Sequence, residues 1–596
     1  MSSPLATDVV MDDAPKVVDP GIGIDILNVQ SYPSVGGNWT VEFNTNGTAD
    51  LIITATNGTT WSDAGDEEDL ELLEVRCGDE VLDYTWIDET NSILIENYSC
   101  DKTGYETSRV HTYGKHHLEF RFGDDVDYAH NLAVLTVCGA TLSTPNEVYV
   151  LGQDVNTSGM ASGTCFIIGA DGITIDGQGY MINYTTDVVV GNAIRNAGGF
   201  DNINIKNLRL VQNKKWSSGA HAIYADGMTN SIINNVNIQT GRGSHGIYLV
   251  SSPSNTISGN TISTINGNGH GIYLDSSTMN TISGNVVSTA GISAYGIYLL
   301  SSGSSPSISN NVVTTTGSNG YGIYLSSSGS NSLSNNAITT TYTRGYGIFL
   351  SSSDSNTLSN NPITTLGSYG NGIYLSSSGS NTLSGNTITA NGTYGYGVSL
   401  SSSDGNDILN NGISTSNAYG YGVFLLSSSN SKLSGNNMDT QSAYAIYVNP
   451  SATSSYYDHD IDTTNTEGGN PIYYYYNEDS QIIGGLGGVG QMYVTCSTNM
   501  TITNVVVNGD GIIFANTANS YIVSSTVSVG EQYAVKGIHL YSSPNVDVSS
   551  NSVQASGSQG YGVYLQSSGS SRITFNTVSI SGSYGHGVYL QSSGSS

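Results

Sequence analysis

The chain has 596 residues, with 47 acidic and 16 basic side chains and a formal net charge of −31. This acidity excludes nucleic acid and anionic membranes as expected partners, because both repel an anionic surface. No apolar run reaches the roughly 18 residues of a membrane span. The five cysteines show no CxxC or Cys/His spacing typical of a zinc site.

Residues 1–22 are an acidic tail that contains one short alternating segment. Apolar and polar residues alternate over residues 5–12, between Pro4 and Pro15. This pattern predicts a strand that is donated to the edge of a neighbouring subunit's sheet, a head-to-tail contact that generates a filament. A disordered acidic tail is the alternative. Met1 is not followed by the apolar region of a signal peptide, so we expect that a leader has been removed.

Residues 23–137 alternate between strand-like segments and turn-rich stretches. Together with the tail they hold 26 of the 47 acidic residues but only six basic ones. The spacing of the segments is that of a β-sandwich, and we predict an immunoglobulin-like domain over 23–137. The alternating segments are Ile24–Val29, Trp39–Phe43, Leu51–Ala55, Ile93–Tyr98 and Leu118–Phe122.

The cysteines fall in an order that predicts two disulfides. Cys77 and Cys100 lie within the predicted sandwich, whereas Cys138 and Cys165 bracket the first coil of the repeat that follows. We expect each pair to be bonded and Cys496 to be free, which suits an extracellular chain. Sequons for N-linked glycosylation would also suit export. Their asparagines are Asn38, Asn46, Asn57, Asn97, Asn156, Asn183, Asn391 and Asn499.

A block of 25 or 26 residues then recurs, anchored by a glycine, an aliphatic, an aromatic and a leucine. Apolar residues stand one before, one after, nine after and fourteen after the aromatic, as in Ile373, Leu375, Leu383 and Ile388. The period of two at the anchor indicates a strand, and Ser, Gly and Asn between the apolar positions indicate turns. Three short strands per block predict one coil of a parallel β-helix with the aliphatic residues inward.

We therefore predict an all-β protein in which the immunoglobulin-like domain precedes a long right-handed parallel β-helix over 138–596. The few aliphatic residues of one coil cannot offset the entropy of ordering it, so the coils must fold as a cooperative stack. The repeat loosens over 445–511, where we expect irregular coils. We also expect the chain to continue beyond Ser596, because the open end of a stack needs a cap.

Asparagine recurs twelve residues after the anchor aromatic. Its amide can both donate and accept a hydrogen bond, so we predict a ladder of stacked asparagines in one turn. A catalytic role is disfavoured because a site does not need so many copies. The predicted ladder consists of Asn260, Asn285, Asn310, Asn336, Asn361, Asn386, Asn411, Asn436, Asn551 and Asn576.

Three parts of the chain resemble archaeal cell-surface and appendage proteins. The segment from Cys138 to Tyr180, with the Asp-Gly-x-Gly of Asp176–Gly179, resembles the opening of those with right-handed parallel β-helix repeats, a fold called pectate-lyase-like. GNPIYYYYNEDSQIIGG from Gly469 looks like a recurring element of them. GNWTVEFNTNGTADLIITA and LEVRCGDE are similar to an N-terminal domain of such proteins. The resemblance implies the fold, but the relatives include lyases, carbohydrate-binding surface layers, copper-maturation proteins and filament subunits.

Catalytic chemistry has few candidates in the repeat. A β-helix lyase needs carboxylates that hold Ca²⁺ beside a basic residue, and a hydrolase needs facing carboxylates. From Trp216 onward the chain has only five basic residues, and most of them lie several coils from the next. Asp458, Asp460 and Asp462 alternate and are the best candidates for a metal or a carboxylate pair, with a solvated edge as the alternative. We expect no catalytic residue and no cofactor, a structural Ca²⁺ being the alternative.

The histidines of the repeat offer a second candidate metal site. His245, His270 and His586 stand three residues before the anchor aromatic, where other coils carry tyrosine. His245 and His270 lie one coil apart and would bind a metal together if their rings converged. The exchange of histidine with tyrosine instead favours a position that requires a flat ring.

The anchor aromatics predict a column of rings on the outer surface, because their aliphatic neighbours face inward. Ser399 interrupts the column. Stacked rings stabilise a sheet by about 0.2–1 kcal/mol per pair, and the functional alternative is a binding stripe for sugar or protein. The candidate binding residues are Tyr248, Tyr273, Tyr298, Tyr324, Phe349, Tyr374, Phe424 and Tyr447.

The sequence thus favours a non-enzymatic extracellular structural protein, a subunit of an archaeal surface filament or surface layer with the β-helix as a projecting adhesive rod. The alternatives are a polysaccharide-acting lyase or hydrolase and a carbohydrate-binding surface protein. We expect self-association at the cell surface, contact with surface carbohydrate, and no nucleic acid.

Overall fold

The computed structural model describes residues 133–593, apart from 161–162, 186–189, 214–218, 242, 266, 305–306, 418, 442 and 531–535. Before residue 133 it describes the backbone of ten strands. Residue contacts divide the chain into two compact units, Met1–Asn131 and Leu132–Ser596. Within the described residues, no helix is long and apolar enough to cross a bilayer.

The strands of the first unit form two sheets. One has the order Thr7–Met11, Ala49–Ala55, Ser92–Tyr98 and Thr85–Ile87. The other has the order Ile24–Gln30, Asn38–Thr45, Lys115–Gly123, Leu70–Cys77 and Trp61–Ser62, with Glu80–Leu82 paired to Leu70–Cys77. All five alternating segments predicted from the sequence lie in these strands. The immunoglobulin-like assignment remains a prediction, and Cys100 lies outside the described residues.

The predicted donor segment is a strand at the edge of the first sheet. Thr7–Met11 pairs in parallel with Ala49–Ala55 of the same chain, from Thr7 opposite Leu51 to Met11 opposite Ala55. Ala49–Ala55 pairs on its other side with Ser92–Tyr98. The N-terminal strand is therefore the outermost member of its sheet.

The second unit is a parallel β-helix of about 17 coils, as predicted. A representative coil consists of Ile373–Ser376, Thr382–Ser384 and Thr387–Ala390. The four aliphatic residues predicted to face inward in this coil are at most 1% exposed. The anchor glycine is required by space, because a Cβ on Gly372 would lie 2.2 Å from Cγ2 of Ile388.

One face of the β-helix is a 13-stranded parallel sheet that carries the anchor aromatics, and we call it the aromatic sheet. Residues pair in register from coil to coil, as Tyr324 does with Phe349. Its strands are Thr141–Leu142, Phe166–Ile168, Ile194–Asn196, Ile223–Asp226, Ile247–Val250, Ile272–Asp275, Ile297–Leu300, Ile323–Ser326, Ile348–Ser351, Ile373–Ser376, Val398–Ser401, Val423–Leu426 and Ile446–Val448.

The other two strands of each coil form two columns that join in a 31-stranded sheet. This sheet begins before Cys138, with Ala133–Leu135 paired to Val148–Leu151. Its further early strands are Val155–Asn156, Thr174–Asp176, Met181–Tyr184, Asn204–Gln212 and Ile232–Thr240. One column then consists of Thr256–Ser258, Thr281–Ser283, Ser307–Ser309, Ser332–Ser334, Thr357–Ser359, Thr382–Ser384, Asp407–Leu409 and Lys432–Ser434. The other consists of Thr261–Thr264, Val286–Thr289, Val312–Thr315, Ala337–Thr340, Pro362–Thr365, Thr387–Ala390, Gly412–Thr415 and Asn437–Thr440.

The repeat changes after residue 445, where irregular coils were predicted. A short 3₁₀ helix spans Ser454–Tyr457, and Thr466–Glu467 turns back on Asn470–Tyr476 in an antiparallel pair. Gly468 and Gly469 form the turn with φ values of 54° and 81°, a conformation that favours glycine. Three columns follow the turn. The first consists of Asn470–Tyr476, Gln491–Thr495, Ile512–Ala515, Lys536–Tyr541, Tyr561–Gln566 and His586–Gln591. The second consists of Ile482–Gly484, Thr501–Thr503, Tyr521–Val523, Asp547–Ser549 and Arg572–Thr574, and the third of Val506–Gly509, Thr526–Val529, Ser552–Ala555 and Thr577–Ile580. One further strand, Asp460–Ile461, precedes the turn.

A ladder of buried asparagines runs through the stack, with one correction to the prediction. Asn336 shows the pattern: its Nδ2 donates to Oδ1 of Asn361 at 3.0 Å and to the carbonyl of Ile308 at 2.8 Å. Asn311, not Asn310, belongs to the ladder, because the coil of 26 residues that starts at Gly296 has its extra residue before Ile308. Asn310 instead adopts a positive φ of 55°.

The described cysteines agree with the predicted bonding. Cys138 and Cys165 form a disulfide at the start of the β-helix, and Cys496 is a half-buried free thiol. Among the sequon asparagines of the β-helix, Asn156 and Asn499 are exposed, whereas Asn183 and Asn391 are half-buried.

Candidate functional site

The anchor aromatics form a column on the outside of the aromatic sheet that is interrupted at Ser399, as predicted. Each ring lies between two buried aliphatic residues of its strand, as Tyr324 does between Ile323 and Leu325, and is itself half-exposed. From Tyr248 to Tyr374 the ring centroids are 4.6–5.0 Å apart and neighbouring planes differ by at most 8°. The column thus presents ring edges, not faces, to solvent. Its members are Tyr224, Tyr248, Tyr273, Tyr298, Tyr324, Phe349, Tyr374, Phe424 and Tyr447.

A second column of rings runs beside the first, three residues earlier in each coil. Its rings also stack, with 4.8 Å between His245 and His270 and 4.6 Å between His270 and Tyr295. The stacking agrees with a position that holds a flat ring in most coils, Asn371 being the exception. The column consists of His221, His245, His270, Tyr295, Tyr321, Tyr346, Tyr396, Tyr421 and Tyr444.

The two columns contact each other edge to face from Tyr248 to Tyr374, whereas Tyr421 with Phe424 and Tyr444 with Tyr447 stack nearly parallel. Tyr295 meets Tyr298 with centroids 5.2 Å apart and planes at 76°, and Tyr321 meets Phe349 at 5.2 Å and 77°. Edge-to-face packing places the positive ring edge against the negative face and stabilises such pairs beyond area burial. We call the combined surface the aromatic face. Burial of its rings raises the pKa of Tyr298 to about 12, so its hydroxyl is neutral across the physiological range.

The aromatic face begins one coil earlier than the sequence prediction placed it. His221 and Tyr224 stack and pack against His245 and Tyr248, in the segment His-Ala-Ile-Tyr-Ala-Asp. Alanine replaces both the anchor glycine and the leucine there, so the anchor pattern did not include this coil. The spacing of the aromatic and the ring three residues before it would have found it.

A third, short column of tyrosines lies at the turn before the second column. Tyr369, Tyr394 and Tyr419 stack at 5.0 Å and 4.7 Å, and the guanidinium of Arg344 lies 5.9 Å from the Tyr369 ring. All three tyrosines adopt positive φ values, from 58° to 63°. This column was not predicted, although the sequence shows its three tyrosines at a spacing of 25 residues.

Each of the two main columns lacks one ring, in adjacent coils, and the two gaps together form a cavity. Asn371 takes the place of a ring in the second column, and Ser399 takes the place of a ring in the first column one coil later. The cavity has a volume of about 220 Å³, and we call it the notch. It is lined by Tyr346, Tyr369, Asn371, Tyr374, Tyr394, Tyr396, Ser399, Ser401, Phe424 and Leu426.

The acidic candidates do not converge. Asp458 is exposed, Asp460 lies 4.0 Å from Nζ of Lys432, and Asp462 accepts hydrogen bonds from Ser434 at 2.6 Å and from Thr464. Their oxygens therefore serve separate local contacts. In the described part of the chain, no group of three or more His, Cys, Asp or Glu residues has the arrangement of a metal site.

A buried pair of carboxyl groups lies where the aromatic sheet ends. Glu467 is 5% exposed and Asp510 is fully buried. Burial and the nearby Asp510 raise the pKa of Glu467 to about 10, so it is protonated at neutral pH. The pair accepts hydrogen bonds from the backbone N–H groups of Thr440 and Ala445. These contacts and the lack of exposure favour a structural role at the end of the regular stack.

The repeats match the model of a known family over most of the β-helix. The family is described as periplasmic copper-binding protein (NosD), and the matches cover residues 141–363, 292–419, 371–484 and 459–596. The chain belongs to this family. A comparison with curated proteins finds no match.

Several solved β-helices are similar in structure. The A-module of the Azotobacter vinelandii mannuronan C-5 epimerase AlgE6 is 15% identical, with 55% of this chain and 91% of that chain covered and a TM-score of 0.41. A tailspike protein of the E. coli bacteriophage HK620 is 11% identical, with 73% and 71% covered and a TM-score of 0.39. A chain of the Vag8–C1 inhibitor complex is 15% identical, with 74% and 99% covered and a TM-score of 0.32. At these scores no functional argument follows.

The histidines of the aromatic face do not fit a copper ion. Nδ1 of His221 accepts the backbone N–H of His245 at 3.0 Å, and Nδ1 of His245 accepts that of His270 at 2.9 Å. The remaining nitrogens belong to rings whose planes differ by only 2° and 7°. Because a metal binds in the plane of the imidazole ring, stacked parallel rings cannot direct their lone pairs at one ion. The predicted alternative of a structural ring is favoured at these positions.

Proposed function

We propose that this chain is a non-catalytic extracellular structural protein whose β-helix adheres to polysaccharide through the aromatic face. The observation that carries this proposal is the length of the face, whose two columns run from His221 and Tyr224 to Tyr346 and Tyr374 and resume from Tyr396 and Phe424 to Tyr444 and Tyr447. A long exposed apolar surface marks an interaction site in a soluble protein. Most rings of the face lie outside the core cluster, the exceptions being Tyr444, which belongs to it, and Tyr421 and Tyr447, which pack against it.

Polysaccharide is the ligand class that suits this surface. Tyrosine combines an apolar ring with a polar tip, so a row of tyrosine edges offers both apolar contact and hydrogen bonds. A sugar chain presents C–H surfaces and hydroxyl groups with the same alternation. The net charge of −31 favours a neutral polysaccharide over an acidic one.

The family and the disulfide support a location outside the cytoplasm. The family is described as periplasmic, and the Cys138–Cys165 bond suits an oxidising environment outside the cytoplasm. We place the chain at the cell surface on these grounds. Copper binding forms no part of the proposal, because the described histidines do not converge on one ion.

We further propose that the chain assembles into a filament or surface layer through its N-terminal strand. Thr7–Met11 lies at the edge of its sheet, where it pairs with Ala49–Ala55. The same strand of a neighbouring subunit can take its position and pair with Ala49–Ala55 instead. Such exchange is head-to-tail and does not close, so it generates a fibre. A negatively stained image of native material would show long regular fibres.

Binding through the aromatic face can be tested by co-sedimentation with insoluble neutral polysaccharides such as cellulose, chitin and mannan. A triple variant, Tyr273→Ser with Tyr298→Ser and Tyr324→Ser, removes three adjacent rings and introduces the residue that Ser399 already places in this column. We expect the parent to sediment with at least one polysaccharide and the variant to bind measurably less, because three contacting rings are missing while the rest of the face remains.

The matched control changes two exposed apolar residues of the other sheet, Val286→Ser with Val312→Ser, each 47% exposed in the parent. This control should bind like the parent. Equal binding by the triple variant would contradict adhesion through the aromatic face.

A further inference from the structure

The notch at Asn371 and Ser399 has the dimensions of one missing ring in a ladder. Strands of a sheet lie about 4.8 Å apart, so two coils separate Tyr374 from Phe424 by about 9.6 Å. The neighbouring rings stack at 5.0 Å where the column is complete, as between Phe349 and Tyr374. The gap opposite Ser399 therefore has the depth of one flat ring beside Tyr374, and Phe424 on its other side packs against Tyr396 with centroids 4.8 Å apart.

The gap in the second column enlarges this space and changes its chemistry. Asn371 lies between Tyr346 and Tyr396, and its Oδ1 accepts the backbone N–H of Tyr396 at 3.0 Å. Its amide NH₂ group and the hydroxyl of Ser399 make no other hydrogen bond within the described part of the chain. Both residues line the notch. The floor thus offers hydrogen-bonding groups where every neighbouring coil offers a ring.

The rim of the notch carries rings that the preceding coils lack. The third column places Tyr369 and Tyr394 against the cavity. In the four coils before them the corresponding residues are Arg344, Asn319, Ser293 and Asn268. Each coil that lacks a floor ring therefore carries a rim ring, and Tyr419 continues the third column into the next coil, where both floor rings are present.

We propose that the notch binds one pyranose unit of a neutral polysaccharide, and that this unit is the anchoring contact of the aromatic face. A pyranose ring has apolar faces for Tyr374 and Phe424, and its equatorial hydroxyls reach Asn371, Ser399 and the tyrosine hydroxyls. An aromatic ring from a protein partner would fill the same space but would bury the floor groups without a partner, which is unfavourable. The inference rests on the proposed function and assigns it a primary subsite.

The test measures affinity by isothermal titration calorimetry with four oligosaccharide probes: cellohexaose, mannohexaose, chitohexaose and, as an acidic arm, hexagalacturonate. The filled variant combines Asn371→Tyr with Ser399→Tyr, which gives both positions the residue most other coils carry and should not lower the melting temperature. We expect the parent to bind a neutral probe and the filled variant to lose at least about tenfold in affinity.

Two further variants test the rim of the notch and provide a control. Tyr394→Ala removes a ring of the rim and should weaken binding several-fold without filling the notch. Val286→Ser changes an exposed residue of the other sheet and should leave the affinity within about twofold of the parent.

The possible results test the notch assignment and the proposed function separately. If the parent binds but the filled variant binds equally well, the notch assignment is wrong while adhesion through the aromatic face stands. Sedimentation of the parent with insoluble polysaccharide, without affinity for any oligosaccharide, also overturns the notch. Binding of hexagalacturonate alone refutes the neutral ligand class. If the parent binds neither the oligosaccharides nor the insoluble polysaccharides, the proposed function itself fails.

Discussion

Asn386→Ala should destabilise the β-helix more than any exposed substitution in the same coil. The side chain is fully buried in the asparagine ladder. Its Nδ2 donates to the carbonyl of Leu358 and to Oδ1 of Asn411, both at 2.9 Å. Its Oδ1 accepts from the backbone N–H of Asn361 at 3.0 Å and from Nδ2 of Asn361 at 2.9 Å. Alanine removes these four hydrogen bonds at once.

The expected loss follows from the number of bonds and from the groups left behind. A buried hydrogen bond contributes about 0.5–1.5 kcal/mol net, so four give about 2–6 kcal/mol. Asn361 keeps one amide bond, to the carbonyl of Leu333, but its backbone N–H loses its acceptor inside the stack. We therefore expect the free energy of unfolding to fall by about 4 kcal/mol.

Guanidinium unfolding measures the loss, and hydrogen exchange locates it. Because coils interact mainly with their neighbours, protection should fall most in the coils of Asn361 and Asn411. Thr387→Ala, at the next and exposed position, is the matched control and should change the free energy by less than about 0.5 kcal/mol. A loss below about 1 kcal/mol for Asn386→Ala would refute the reasoning, since it would show that the ladder is not a stabilising network.

Three further predictions address the core, the buried acid pair and assembly. Leu383→Asp places a charge at a fully buried position and should lower the melting temperature steeply; an unchanged melting curve would contradict the inward register. Glu467 has a folded pKa of about 10, above its unfolded value, so the parent loses stability as the pH rises between those two values. Glu467→Gln should equal the parent near pH 4 and exceed it at pH 8, and parallel stability curves would contradict this. Deletion of residues 1–18 should leave folded monomers that do not polymerise, and fibres like those of the parent would rule out the donated strand.

The β-helix could be predicted from the sequence because each coil repeats the same spacing of apolar residues. A period of two at the anchor, with aliphatic residues nine and fourteen positions later, gave the strands and the inward face of coils such as that of Leu383. The error at Asn310 shows the limit of fixed spacing. One inserted residue before Ile308 moved the ladder position to Asn311, and only the hydrogen bonds to the neighbouring coils reveal where an insertion is absorbed.

The candidate site was only partly predictable, because it depends on relations between columns. The outward column was predicted from strand alternation, but edge-to-face contact such as that of Tyr295 with Tyr298 requires the turn geometry of each coil. The interruption at Ser399 was visible in the sequence. The sequence did not show that Ser399, Asn371 and Tyr394 line one cavity, because these residues come from two neighbouring coils and meet only in the folded stack. The hairpin at Gly468 and Gly469 was likewise visible only as a break in the repeat.

The central claim is adhesion without catalysis, and one experiment measures both. The purified chain is incubated with cellulose, chitin, mannan and a soluble acidic polysaccharide in the presence of Ca²⁺, and bound protein, new reducing ends and unsaturated ends are quantified in the same samples. We expect the protein to bind, with no new reducing or unsaturated polysaccharide ends above the level of a heat-denatured control. Product formation that disappears when Asp458, Asp460 or Asp462 is changed to Asn would contradict it and establish an enzyme.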